Sequence, residues 1–190
     1  MVRRSRPVTA APRGGAAEYV KLENRLVLLG WLNSLFGYRS NKELLADIKQ
    51  AAEGFDPSGR SFVYRHLVGR GEKLEVPLHD LRRYDDNIRN HLAAINERRP
   101  EPITLRYFQY LALLYTEVFL DCRFKRPGEL LRVLNEYVYS ANARKAAGDP
   151  LDQEVTETDL NKLAYWMATG GGKTLIMHFN YRQFLHYNRK

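Results

Sequence analysis

The chain has 190 residues, is 44% hydrophobic and 27% charged, and carries a net charge of +8. That is an ordinary globular composition, long enough for one large domain or two small ones, and it argues against fibrous or low-complexity classes. No apolar run reaches the roughly 20 residues needed to cross a bilayer, and the arginine-bearing N-terminus lacks the apolar stretch of a secretion signal. The expectation is no membrane partner. Cys122 stands alone and cannot form an internal disulfide, so the expected location is a reducing, cytoplasmic one.

Residues 1–15 carry Arg3, Arg4, Arg6 and Arg13 with no acidic residue, and read as a disordered basic tail able to touch nucleic-acid phosphates. Residues 16–102 form a helical domain. From Ala16, apolar residues at Tyr19, Leu22, Leu26, Leu29, Leu32 and Leu35 recur every three or four positions, and Gly37 is the expected stop. Ser40 and Glu43 make a capping-box pattern ahead of Leu44, Leu45, Ile48 and Ala52, with Gly54 ending that helix. Asp56-Pro57 reads as an N-cap with proline at the first helical position, before Phe62, Val63, His66 and Leu67. A longer stripe follows through Leu81, Tyr84, Ile88, Leu92 and Ile95, and stops before Pro100.

Residues 103–146 continue as helices: one capped by Thr104, apolar nearly all round and running to about Cys122, and one restarted by Pro127 with Leu130, Leu134, Tyr137 and Ala141 in line. Residues 147–159, with Gly148, Pro150 and five acidic residues, read as a linker loop. The five histidines His66, His79, His91, His178 and His186 show no spacing that makes a metal site with Cys122.

Residues 160–190 change character. Lys162 to Met167 is an apolar run suited to a buried strand, and it leads into Gly170-Gly171-Gly172-Lys173-Thr174. An apolar-periodic helix follows, with Leu175, Ile176, Phe179 and Phe184 facing a sheet. Strand, glycine-rich turn and helix in that order make a phosphate-binding loop: glycines turn backbone N–H groups inward, and the helix aims its positive end at the same point. Lys173 then reaches the β- and γ-phosphates of a nucleotide, and the Thr174 hydroxyl holds Mg²⁺. The strict Walker pattern wants glycine where Met167 stands.

Met167-Ala-Thr169-Gly-Gly-Gly-Lys-Thr174 resembles the first motif of superfamily 2 helicases, which tolerates a non-glycine at that place. Leu105-Arg-Tyr-Phe-Gln109-Tyr-Leu-Ala112 resembles the Q-motif of the same group, whose glutamine reads adenine. A carboxamide has a donor and an acceptor to match the N6 and N7 edge of that base. The wording of both stretches is similar to the helicase subunits of type III restriction enzymes and related DEAD/DEAH-type defence proteins, over about Ile103 to Tyr187.

The resemblance implies a mainly α chain: a helical N-terminal domain, then the first strand, P-loop and helix of a truncated RecA-like α/β domain. It implies ATP and Mg²⁺ as ligands, with Gln109, Thr169, Gly170, Gly171, Gly172, Lys173 and Thr174 at the nucleotide. It implies DNA as the partner of the complete protein, beside a methyltransferase or another restriction or defence subunit. The acidic box and arginine motifs of that family would lie beyond Lys190, so no complete catalytic set is expected here, and ATP would be bound without competent hydrolysis. Two other readings stand beside it: a non-catalytic helical interaction module, and part of a different P-loop NTPase.

Overall fold

A computed structural model describes residues 26–189, and the expected basic tail and the first turns of the leading helix fall outside that range. Among the described residues seven α-helices follow in order: α1 (Val27–Leu35), α2 (Asn41–Ile48), α3 (Phe62–Val68), α4 (Leu78–Asn96), α5 (Tyr107–Lys125), α6 (Pro127–Asn142) and α7 (Lys173–Tyr187). The protein is mainly α.

α5 is the axis of the molecule. Its apolar residues surround the whole cylinder, so every face needs a cover, and α3, α4, α6 and α7 provide it. Tyr110, Leu113, Leu114, Val118 and Phe119 are all buried along it. α4 presents the expected stripe, with Leu81, Tyr84, Ile88 and Leu92 buried and Ile95 packed at the edge. α6 contributes Leu130, Leu134 and Val138, and α1 lies against α6 and α2.

Helix ends depart from the sequence expectations where a local side chain found a better partner. Ser40 caps α2 as expected, its hydroxyl accepting the Glu43 N–H at 3.1 Å, but the Glu43 carboxylate turns to the Arg39 N–H at 2.9 Å instead of closing the box. α2 ends at Ile48, six residues before Gly54, and Ala52 is exposed beyond it. Asp56 caps no helix. Its Oδ1 accepts from the Ser58 N–H at 2.8 Å, the Ser58 hydroxyl at 2.6 Å and the Arg60 N–H at 3.0 Å, which closes a turn. Ser61 caps α3 instead, accepting from the Val63 and Tyr64 N–H groups. Thr104 lies ahead of the start of α5, whose N-cap is Arg106.

The expected strand at Lys162–Met167 forms no ladder. Among the described residues the one β-type pairing is an isolated bridge between Phe55 and Ser61. The segment still keeps a period of two: Leu163, Tyr165 and Met167 are half-buried, while Ala164, Trp166 and Ala168 are exposed, Trp166 at 87%. A strand is completed by hydrogen bonds from a neighbour, and here the flanking elements are helices.

The acidic loop is not a free tether. Asn135 and Asn142 on α6 each bind its backbone at two points, and Lys145 pairs with Asp152 at 2.9 Å. No helix among the described residues is long and apolar enough to cross a membrane.

Candidate phosphate-binding site

α7 starts at Lys173 directly behind Gly172, whose φ of +89° is left-handed; Gly170 has φ +78°. Both positions favour glycine because a Cβ there crowds the following carbonyl. The Ala168 carbonyl closes the turn, accepting from the Gly171 N–H at 3.0 Å and from Lys173 Nζ at 3.2 Å. The Gly172 carbonyl receives the Ile176 N–H at 3.0 Å, the first bond of the helix. The N–H groups of Lys173, Thr174 and Leu175 precede that bond and have no intrahelical acceptor. No acidic residue lies in the first turn of α7. Thr169, Gly170, Lys173 and Thr174 are exposed, and Gly171 and Gly172 are half-buried.

Gln109, distant in sequence, meets this loop. It sits at the third position of α5, where its Oε1 accepts from the Arg106 N–H at 3.0 Å and its Nε2 donates to the Gly171 carbonyl at 3.1 Å. A Cβ added to Gly172 would lie 2.5 Å from that same Nε2. One carboxamide hydrogen and one Oε1 lone pair of Gln109 remain after these two bonds. Of the residues expected at one site, Gln109 meets Gly171 and Gly172, and Thr169, Gly170, Lys173 and Thr174 are the chain neighbours of those two glycines. The loop also borders an apolar groove of about 1160 Å³ that includes Phe108, Leu111, Tyr115, Met167 and Gly171 in its lining.

The C-terminal half of α7 is anchored by a buried polar cluster that the sequence reading did not single out. Glu117 on α5 is fully buried. Its carboxylate accepts from Tyr187 Oη at 2.6 Å, Gln183 Nε2 at 2.7 Å and Asn87 Nδ2 at 2.8 Å, which joins α4, α5 and α7. Gln183 also donates to the Leu113 carbonyl at 3.0 Å. Burial pushes the Glu117 carboxyl up, against the hydrogen bonds from Tyr187, Asn87 and Gln183 that pull it down. Closer to the loop, Thr116 bonds the Tyr165 hydroxyl and thereby fastens the extended segment to α5. The signal available in sequence was a pair of acids, Glu117 and Asp121, inside an otherwise apolar helix.

The buried stripe of α7 is Ile176, Phe179 and Gln183 rather than one that includes Phe184, which is 45% exposed. Phe184 rests edge-on against Phe124 instead. The helix packs on α5, so its inner face follows the polar contact to Glu117 and not the apolar count.

The residues present fit a phosphate chain: left-handed glycines, a helix start free of acids, an exposed lysine and an exposed threonine hydroxyl. The fold and loop together define a mainly helical protein with a glycine-rich turn that opens directly onto a helix. Comparison with family models, curated proteins and solved structures finds no match to this chain.

Proposed function

We propose that this chain binds the phosphates of Mg·ATP at Thr169–Thr174, as the N-terminal part of an ATP-driven DNA helicase or translocase of a restriction or phage-defence system. The observation that carries the reading is the bond from Gln109 to the Gly171 carbonyl at 3.1 Å. Two stretches that resemble consecutive motifs of one enzyme class touch where the Gln109 side chain of one meets the backbone of the other, 62 residues away. In this reading Lys173 leaves the Ala168 carbonyl for the β- and γ-phosphates, and the Thr174 hydroxyl is the protein's ligand to Mg²⁺. The metal neutralises charge on the phosphates when bound. The unused donor and acceptor of Gln109 read adenine, and the apolar groove lined by Phe108 takes the flat face of the base. The extended segment around Trp166 is then the first strand of a RecA-like sheet, completed by strands outside these residues. DNA and a second restriction or defence subunit are partners of the complete protein.

Mg·ATP binding by the purified chain tests this directly. Titration calorimetry is expected to give saturable binding that Lys173→Ala weakens at least tenfold, with adenine nucleotides preferred over the other three. Undetectable binding, or binding indifferent to Lys173, removes the proposal. The second reading, a helical interaction module without nucleotide, draws on the contact between Lys173 Nζ and the Ala168 carbonyl, which satisfies the lysine within the loop itself.

A further inference from the structure

The acidic segment Pro150–Thr156 lies along α6 as an extended chain, held the way a bound peptide is held. Asn135 accepts the Val155 N–H at 2.7 Å and donates to the Val155 carbonyl at 3.0 Å. Asn142 accepts the Asp152 N–H at 2.8 Å and donates to the Asp152 carbonyl at 2.9 Å. Each carboxamide thus reads both backbone groups of one residue, as a neighbouring strand would. The two asparagines are seven residues apart on a helix, about 10 Å at the usual helical rise. The residues they grip are three apart on an extended chain, also about 10 Å. The spacings match, and the two chains run antiparallel.

Side-chain contacts add selectivity to the backbone grip. Lys145 Nζ pairs with the Asp152 carboxylate at 2.9 Å and donates to the Pro150 carbonyl at 2.8 Å. The Tyr139 hydroxyl donates to Glu154. Val155 packs against the edge of the core, while Leu151 and Gln153 stay exposed. α6 and the turn after it therefore meet an extended segment with an acid, a second acid two positions on, and a small aliphatic residue after it. Gly148, at φ +98°, forms the turn that lets the chain double back.

We infer that this face of α6 is a reader of extended acidic peptides with the pattern Asp-x-Glu-Val, and that the chain's own residues 150–156 are its resident occupant. The partner in trans is an extended acidic segment of another protein, complementary to Lys145 in charge and to Asn135 and Asn142 in backbone register. The resident segment competes with it and keeps the reader closed. This inference is independent of nucleotide binding at the glycine loop.

The test uses a fluorescently labelled peptide Pro-Leu-Asp-Gln-Glu-Val-Thr, which reproduces residues 150–156. The protein is the full chain with residues 151–155 replaced by alternating glycine and serine, its fold checked by circular dichroism. Fluorescence anisotropy is expected to show saturable binding at least tenfold tighter than to the unaltered chain. Adding Asn135→Ala and Asn142→Ala is expected to weaken it at least tenfold, and Lys145→Ala to remove most of its salt dependence. A folded variant that leaves the peptide free, or holds it equally without the two asparagines, overturns the inference. Should the replacement unfold the chain, the unaltered protein decides: excess peptide must speed amide exchange at Asp152 and Val155, and unchanged exchange overturns it.

Discussion

Gln109 is bonded to Gly171 across 62 residues: the glutamine Nε2 donates to the glycine carbonyl at 3.1 Å, and its Oε1 accepts from the Arg106 N–H at 3.0 Å. One side chain thereby ties the start of α5 to the turn before α7. A buried amide with two good partners is costly to lose. Gln109→Ala should destabilise the protein by about 1–2 kcal/mol, since two backbone groups lose their partner. Urea unfolding measures that. The same variant should weaken binding of tripolyphosphate, which has no base, because the loop itself is loosened. If tripolyphosphate binding is unchanged while ATP binding falls, Gln109 acts on the base alone.

Gly172 and Gly170 separate two costs that usually come together. Both are left-handed, at φ +89° and +78°. A Cβ on Gly172 meets Gln109 Nε2 at 2.5 Å, whereas nothing lies within 4 Å of one on Gly170. Gly170→Ala should therefore cost only the conformational penalty, about 1 kcal/mol. Gly172→Ala should cost at least about 1 kcal/mol more. In the background of Gln109→Ala the two substitutions should become nearly equal, and thermal unfolding of the four variants checks it.

His91 sets a pH dependence. Burial lowers its pKa to about 4, helped by the charges of His186, Arg182 and Arg189. The unfolded chain protonates the same histidine near pH 6.5. Between those values the unfolded state binds more protons, so stability falls as pH drops through the window from 6.5 to about 4. The loss should reach about 1–2 kcal/mol after allowance for partial exposure. His91→Gln should flatten this part of the profile, measured as urea midpoints at pH 7 and pH 4.5. An unchanged slope would show that other groups set it.

Glu117 should be the most sensitive single position. Glu117→Ala leaves the hydroxyl of Tyr187 without its acceptor and removes one acceptor each from the amides of Gln183 and Asn87. The expected cost is about 3 kcal/mol, that of breaking a buried polar network on one side. The damage should concentrate in α7, so its amides should exchange faster than those of α4 in the variant. Unchanged protection of α7 would argue that it is held by Ile176 and Phe179 alone.

Backbone at 162–168 forms no strand ladder and should exchange fastest among the described elements, well ahead of α5. Trp166 at 87% exposure should be open to iodide quenching, whereas Trp31, at 8%, should resist it. Trp166→Phe should remove most of the quenchable emission. Strong protection of 162–168 would mean that the segment has found a partner strand.

The amino-acid pattern alone determined most of the helices, because an apolar stripe at three- and four-residue spacing can be buried only one way. The stripe of α4 through Leu81, Tyr84, Ile88 and Leu92, and the all-round apolar surface of α5, are of that kind. The glycines at 170 and 172 ahead of Lys173 were equally legible, since left-handed backbone before a helix calls for them. Tertiary contacts decided the rest. Asp56 had the right sequence neighbours for a cap, yet its Oδ1 closes a turn and its Oδ2 takes the Arg65 guanidinium. The apolar run at 162–167 had strand-forming residues, yet a strand depends on a second backbone that periodicity cannot supply. The buried face of α7 was set by Glu117 reaching Gln183 across 66 residues, and the acidic loop by two asparagines on α6. Those are long-range polar pairings, and no local spacing encodes which buried carboxylate a distant amide will meet.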